Sequence, residues 1–344
     1  MEMKWNKGKL LALPAVIVLG MSTVLAGCGD SSPSTSGTTP GQGSTDKLQI
    51  VTSFYPMQEF TSKVAGDLAD VQVLVPPGTE PHDWEPTPQD IAKITEADMV
   101  VYNGAGLESW MTQVQDAVGT SGPKMVEASK SVQVMDGYSE EEEHAGEAEA
   151  HAGEEAHDHA AEEGHDHDHG GMDPHVWLSP MQAQTEVRNI ETALSELAPD
   201  HAADFKKNAD TYLAELKKLD EDYKTDLSNT KRKDFITQHT AFGYLARDYG
   251  LTQVGISGLS PEEEPTAAKM AEVVDFAKQN NVKTIFFETL VSSKVADTIA
   301  NEVGAQTAVL NPLEGLTSEQ TAAGEDYISV MRENLAALKK ALNE

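Results

Sequence analysis

Two series of alternating strand-like and helix-like segments constrain the fold of this 344-residue chain most strongly. Short apolar runs recur, and stretches whose apolar positions have helical periodicity lie between them. Alternation at this spacing predicts parallel sheets flanked by helices. The strand-like runs lie at 48–54, 71–76, 98–103 and 124–127 in the first series, and at 234–238, 251–257, 283–287 and 305–310 in the second. The predicted helices lie at 56–66, 88–97 and 107–118, and at 265–279, 292–303 and 318–342.

Two helical segments with few helix breakers, at 180–197 and about 201–228, separate the two series. The second carries large apolar side chains at helical spacing, namely Phe205, Tyr212, Leu216, Leu219 and Tyr223. A helix that bridges two domains and an ordinary packed helix both fit this pattern. Because a body of roughly 300 residues suits two domains, we expect two α/β halves with a helix between them.

The N-terminus has the composition of an export signal. Three lysines precede an apolar stretch from Leu10 to Ala26 that ends in small residues. The sequence Leu25-Ala26-Gly27-Cys28 resembles the lipobox of bacterial lipoproteins, which predicts cleavage before Cys28, the only cysteine of the chain, and lipidation of its thiol. An uncleaved membrane anchor is the alternative. We therefore interpret 1–27 as a lipoprotein signal peptide and the Ser/Thr/Gly/Pro-rich segment 28–46 as a flexible tether.

A histidine- and acid-rich insert occupies 139–171, and its low complexity predicts a disordered loop. Between Glu140 and Asp168 it has thirteen acidic residues and no Lys or Arg, in a chain of net charge −32. Nucleic acid is therefore excluded as a partner, and cations are the plausible ligands. The insert's histidines are predicted to bind metal weakly and in several arrangements: His144, His151, His157, His159, His165, His167 and His169.

Four residues outside the insert form a candidate metal site. His82 follows the second strand-like run, His239 and Glu288 each follow a later one directly, and His175 follows the insert. In open α/β sheets, ligands gather at the carboxyl ends of strands. Each residue alone is more simply a packed or surface residue, and Glu288 alone could be an acid at a helix N-terminus. Together, three imidazoles and one carboxylate suit tetrahedral Zn²⁺.

Several motifs make the mature chain similar to a known family. They are Phe54-Tyr55-Pro56, the run from Pro81 to Pro86 (PHDWEP), the run from Asp173 to Pro180 (DPHVWLSP), and the run from His239 to Tyr244 (HTAFGY). The chain resembles the metal-binding lipoproteins of bacterial ABC importers for zinc and manganese, the cluster A-I solute-binding proteins that include ZnuA-like and AdcA-like proteins. The resemblance implies two α/β lobes, each a mostly parallel sheet flanked by helices, joined by one long rigid helix, with metal held in the cleft.

The resemblance also implies which residues hold the metal and where the lobes end. His82 and His175 match the ligands from the first lobe, and His239 and Glu288 those from the second. The fourth ligand varies among relatives, so Glu80 and a water molecule remain rivals to Glu288. The predicted segments are an N-terminal lobe at 47–200, a linking helix at 201–230 and a C-terminal lobe at 231–344.

The function implied is extracytoplasmic capture of Zn²⁺ and its delivery to the permease and ATPase subunits of an ABC importer. We expect a monomer, lipid-anchored to the outer face of the cell membrane. A manganese-binding protein, a metal-binding surface adhesin, and a metal buffer formed by the insert are the alternatives. A metal-dependent hydrolase is disfavoured, because the chain has no HExxH motif and a fourth protein ligand would close the site.

Overall fold

The first lobe is built on a four-stranded parallel sheet. The computed structural model describes residues 47–137 and 171–344. The strands are β1 (Leu48–Thr52), β2 (Ala69–Val73), β3 (Met99–Tyr102) and β4 (Lys124–Glu127). Their order across the sheet is β2-β1-β3-β4, and all neighbours are parallel. Because the strands are parallel, the loops that follow them leave from one edge of the sheet, where ligands bind in folds of this class.

Three helices connect these strands and cover the sheet. They are α1 (Tyr55–Ala65), α2 (Pro88–Glu96) and α3 (Met111–Val118). Helix α1 has Pro56 in its first turn, where a fixed φ and a missing N–H cost nothing. It buries Met57, Phe60 and Val64, which are three and four residues apart and therefore share one face. That face packs against the sheet and against the helices that follow.

A long helix connects the two lobes. After α4 (Pro180–Leu197) comes α5 (Ala202–Ser228), whose 27 residues span about 40 Å. Near its start Asn208 Nδ2 donates to the Val64 carbonyl of the first lobe at 3.1 Å. Near its end the Tyr223 hydroxyl donates to the Met331 carbonyl of the second lobe at 2.7 Å. The expectation of a linking helix is confirmed, while the bounds predicted for the lobes stay predictions.

The second lobe repeats the strand order of the first. Its strands are β5 (Asp234–Thr237), β6 (Thr252–Gly255), β7 (Thr284–Phe287) and β8 (Gln306–Val309), and they lie in the order β6-β5-β7-β8, all parallel. Its helices are α6 (Gly243–Tyr249), α7 (Ala267–Gln279), α8 (Lys294–Val303), α9 (Ser318–Ala323) and α10 (Tyr327–Ala341). The predicted fold class, two α/β lobes with mostly parallel sheets, is confirmed.

The helices of the second lobe differ from the sequence prediction in two places. Helix α6 was not predicted, because its seven residues are too few to show a periodic pattern. The segment predicted as one helix at 318–342 is two, α9 and α10. Gly324 ends α9 in the left-handed conformation with φ of 74°. The Asp326 side chain then caps α10 by accepting the Ser329 N–H at 2.9 Å.

One apolar core passes through both lobes. Phe60 of α1, Tyr223 of α5 and Tyr327 of α10 are fully buried in the same cluster of contacts. Trp177, which precedes α4, is also fully buried there. Its indole N–H donates to the Pro312 carbonyl at 2.8 Å, and the Tyr327 hydroxyl donates to the Trp177 carbonyl at 2.6 Å. Trp177 therefore joins the chain after the insert to the second lobe.

Several predictions concern residues outside the described ranges. These are the signal peptide at 1–27, the tether at 28–46 with Cys28, and the seven histidines of the insert. Among the residues that the structure describes, none of the helices combines the length and the hydropathy needed to span a bilayer.

Candidate metal centre

Three imidazoles and one carboxylate converge between the lobes. Nε2 of His175 lies 3.2 Å from Nε2 of His82 and 3.3 Å from Nε2 of His239. Oε1 of Glu314 lies 3.2 Å from Nε2 of His82, 3.6 Å from that of His175 and 3.4 Å from that of His239. All four atoms lie within 4.8 Å of one another.

These spacings are those of a small tetrahedral coordination shell. Ligands held about 2.0–2.1 Å from a central Zn²⁺ in a regular tetrahedron are about 3.3–3.4 Å apart. Five of the six atom pairs are separated by 3.2 to 3.6 Å, and the sixth, Nε2 of His82 to Nε2 of His239, lies within 4.8 Å. The side chains therefore lie close to the arrangement that a tetrahedral ion with nitrogen-rich coordination requires.

The cluster is largely closed to solvent. The side chains of His175 and His239 are fully buried, that of Glu314 is 1% exposed, and that of His82 is 10% exposed. Charge interactions are stronger in such a site than at the surface, because little water screens them. His82 is the ligand candidate nearest to solvent.

His82 is held by the loop that follows β2. Pro81 restricts the backbone before it, and the His82 N–H donates to both carboxylate oxygens of Glu80, at 3.0 and 3.1 Å. Oε1 of Glu80 lies 3.9 Å from Nε2 of His82. Glu80 therefore fixes the loop through the backbone while its carboxylate stays beside the cluster.

His175 is oriented by the first residue of its own motif. Oδ1 of Asp173 accepts the His175 backbone N–H at 2.9 Å and Nδ1–H at 2.8 Å. In the neutral imidazole that binds a metal, a proton on Nδ1 leaves the lone pair on Nε2, which is the atom that points into the cluster. Asp173 thus sets both the position and the tautomer of this imidazole.

Glu288 orients the imidazole of His239 in the same way. His239 follows β5, and Glu288 follows the neighbouring strand β7. Oε1 of Glu288 lies 2.5 Å from Nδ1 of His239 and also accepts the His239 backbone N–H at 3.2 Å. Glu288 therefore lies against the side of the ring opposite the cluster, where it stabilises the orientation of Nε2.

Glu314 comes from a constrained loop after β8. Leu313, next to it, has a left-handed backbone with φ of 55°, which costs on the order of 1–3 kcal/mol for a residue other than glycine. Side-chain hydrogen bonds maintain this conformation. The Leu313 N–H donates to Asn311 Oδ1 at 2.8 Å, and Asn334 of α10 bonds both the N–H and the carbonyl of Asn311, at 2.8 and 2.7 Å.

The acids and bases of the cluster shift one another's pKa. Burial alone would raise the pKa of Glu314, but hydrogen bonds from three imidazoles outweigh it and hold that pKa well below the usual range. Burial alone would lower the pKa of His239, yet the carboxylates of Glu288 and Glu314 raise it to about 10. Burial, together with the Glu314 charge, raises the pKa of Glu80 to about 7. The carboxylates of Glu288 and Glu314 thus stabilise positive charge in this cluster.

The structure brings together three of the four residues predicted as ligands. His82, His175 and His239 meet, but Glu288 contacts the outer nitrogen of His239 and is not among the four converging atoms. Glu314 was not predicted from the sequence. Glu314 also follows a strand-like run, although by several residues. That position was the only feature of the sequence that could have identified it.

This combination of fold and site defines a class of protein. Two α/β lobes on one linking helix, with a buried cluster of metal-ligating side chains between them, make a two-lobed solute-binding protein whose ligand is a metal ion. The family model of ZnuA, described as the periplasmic zinc-uptake complex component A, matches residues 50–341. The chain belongs to the ZnuA family, whose role is in transport and not in catalysis.

Individual relatives agree with this assignment. The high-affinity zinc uptake system protein ZnuA of Bacillus subtilis (strain 168) is 48% identical over 326 residues, which are 95% of this chain and 96% of that protein. The zinc-binding lipoprotein AdcA of Streptococcus pneumoniae (strain ATCC BAA-255 / R6) is 47% identical over 298 residues. That match covers 87% of this chain but only 56% of AdcA, so the chain spans about half the length of that relative.

Solved structures show the same fold. The Zn(II)-bound ZnuA-like domain of Streptococcus pneumoniae AdcA is 42% identical, with a TM-score of 0.70 over 87% of this chain and 100% of that one. The laminin-binding protein Lmb of Streptococcus agalactiae, described as bifunctional with adhesin and metal-transporting activity, is 36% identical with a TM-score of 0.70. That match covers 86% of this chain and 99% of that one.

Proposed function

We propose that this chain captures Zn²⁺ outside the cytoplasm and delivers it to the membrane subunits of an ABC importer. The observation that carries the proposal is the convergence of three imidazole nitrogens and one carboxylate oxygen in a buried cluster between the lobes. The zinc-uptake and zinc-binding names of the relatives support it. In this proposal the zinc ion is the transported substrate and not a resident cofactor.

The ligand set we propose is His82, His175, His239 and Glu314. Glu314 takes the place that the sequence suggested for Glu288, because its Oε1 faces all three Nε2 atoms. Glu288 supports His239 from the other side of the ring. Glu80 is less well placed than Glu314, since both its oxygens bond the His82 backbone N–H.

Zinc is preferred over manganese on the chemistry of these ligands. Imidazole suits Zn²⁺, whereas Mn²⁺ prefers oxygen ligands in octahedral geometry. Three nitrogens and one oxygen converge in this buried cluster, so an octahedral Mn²⁺ would have to recruit further oxygen ligands. The adhesin alternative has the Streptococcus agalactiae relative in its favour, but none of the residues described above bears on adhesion.

The test is a competition titration of the purified protein with Zn²⁺ against a chelator and against Mn²⁺. We expect one tight zinc site, which excess Mn²⁺ does not displace, in addition to weaker binding by the insert. His239→Ala should weaken the tight site on the order of 10-fold or more. His201→Ala is the matched control, because His201 is a partly exposed histidine just before α5 and is not part of the cluster.

Deleting residues 140–170 separates the two kinds of site. The deletion removes the seven histidines of the insert and none of the four proposed ligands. We expect the tight site to survive and the weaker binding to disappear. Zinc should still raise the unfolding temperature of the shortened protein by mass action. Loss of the tight site on deletion would place zinc in the insert and not in the cluster.

A lipid anchor at Cys28 is part of the proposal. The motif at Leu25–Cys28 and the lipoprotein name of the AdcA relative support it. Cys28→Ala is expected to leave zinc binding intact and to release the protein from the membrane fraction, since the acyl chains supply the attachment. A variant that still sediments with membranes after a salt wash would indicate an uncleaved anchor. The proposed partners are a permease and an ATPase, and the protein is proposed to be a monomer.

A further inference from the structure

The two chain segments that flank the insert pair with each other at its base. We call residues 135–137 and 171–173 the insert base. The Gly137 N–H donates to the Gly171 carbonyl at 2.5 Å, and the Asp173 N–H donates to the Met135 carbonyl at 2.9 Å. The two segments are antiparallel. Asp173, at the end of this pairing, is also the residue that orients His175.

A tyrosine hydroxyl from the second lobe completes this pairing. In a hydrogen-bonded antiparallel pair, two residues exchange both N–H···O bonds. Met135 and Asp173 form only one of these two hydrogen bonds directly, from the Asp173 N–H to the Met135 carbonyl. The other passes through Tyr244 of α6, whose hydroxyl accepts the Met135 N–H at 3.0 Å and donates to the Asp173 carbonyl at 2.8 Å. Tyr244 is fully buried, so this bridge is shielded from water.

The neighbouring residue of α6 contacts the other end of Asp173. A Cβ atom added to Gly243 would lie 2.5 Å from Oδ2 of Asp173. The carboxylate, whose Oδ1 holds His175, thus packs directly against the Gly243 backbone. The second lobe therefore fixes Asp173 at two points, its carbonyl through Tyr244 and its carboxylate through Gly243.

We propose that Tyr244 is a positioning residue for the metal centre: by bridging the insert base it fixes Asp173, and through Asp173 it fixes the imidazole of His175. The inference rests on the zinc-binding function proposed above. One hydroxyl of the second lobe thus determines both the pairing of the two segments of the insert base and the orientation of His175, a proposed ligand from the first lobe. If Tyr244 only filled space in the core, its ring would be required but its hydroxyl would not.

The test begins with Tyr244→Phe, which keeps the ring, including its contact with Arg247, and removes only the hydroxyl. We expect the affinity for Zn²⁺ to fall on the order of 10-fold, as when an outer partner of a ligand is lost. The visible spectrum of bound Co²⁺ should change as well, because His175 is less well oriented. Tyr249→Phe is the matched control. It removes another buried hydroxyl of α6, which donates to Asp220 at 3.0 Å, and should change neither readout.

A mutant cycle shows whether Tyr244 acts through Asp173. In an Asp173→Ala background, Tyr244→Phe should cause no further loss of zinc affinity. Gly243→Ala is a second, independent variant: it should weaken zinc binding in the native background, where the methyl displaces the Asp173 carboxylate, and should be harmless when Asp173 is alanine. Circular dichroism of the metal-free variants confirms that each one is folded.

The outcomes separate this inference from the proposed function. If the unmodified protein has no tight zinc site, the proposed function fails and the inference with it. If that site is present and Tyr244→Phe binds zinc equally well, or loses as much affinity with Asp173→Ala as without it, only the positioning role of Tyr244 is overturned.

Discussion

Glu314→Gln is expected to lower the affinity for Zn²⁺ on the order of 100-fold or more, and Glu288→Gln on the order of 10-fold. The amide at 314 keeps the shape of the side chain but removes the anionic oxygen that faces three imidazole nitrogens. The amide at 288 can still accept the Nδ1–H of His239, so the ring keeps its orientation. A competition titration with a zinc chelator measures both affinities.

Glu59→Gln is the control for this comparison. Glu59 lies on α1 and pairs with Lys63 at 3.4 Å, away from the cluster. Its amide variant should bind zinc as the unmodified protein does. The reverse order of effects, with Glu288→Gln the more damaging change, would return Glu288 to the ligand set and refute the assignment of Glu314.

Trp177→Ala is expected to lower the unfolding free energy of the metal-free protein by about 3–5 kcal/mol. The indole is fully buried and packs edge-on against Phe54, with ring centroids 4.8 Å apart. Its removal leaves a cavity in the core shared by the lobes and an unpaired carbonyl at Pro312. Urea unfolding followed by circular dichroism measures the change.

Two further tryptophan variants make this test specific. Trp177→Phe should lose less stability, because a ring still fills most of the cavity while the hydrogen bond to Pro312 is lost. Trp84→Ala should also lose less, since Trp84 is only partly buried and lies at the edge of the core. Equal losses for Trp177→Ala and Trp84→Ala would contradict the larger contribution to stability expected of Trp177.

The fold was predictable from local patterns because strand and helix periods alternate twice along the chain. The apolar side chains of α5 were correctly recognised by their spacing, and all five are buried. Whether α5 links the lobes could not be decided from that spacing, because a buried face looks the same whether one lobe or two cover it. The break between α9 and α10 depends on Gly324 and Asp326, whose roles are clear only once the backbone is known.

The site was predictable where residue type and position coincide. Each histidine that meets in the cluster stands after a strand-like run or after a proline in a distinctive motif. The carboxylate was harder, because the rule about strand ends does not say how far beyond the strand a ligand lies. Glu288 follows β7 directly and contacts Nδ1 of His239, on the side of the ring away from the cluster. Glu314 reaches the Nε2 atoms from a loop that is shaped by the left-handed backbone of Leu313.

The core that passes through both lobes makes them inseparable as folding units. Phe60, Tyr223 and Tyr327 belong to one buried cluster although they come from the first lobe, α5 and the second lobe. A fragment that ended after α5 would expose the apolar faces that α10 covers, and one that began at β5 would lack α5. We therefore expect the two lobes to unfold together and not as two independently stable halves.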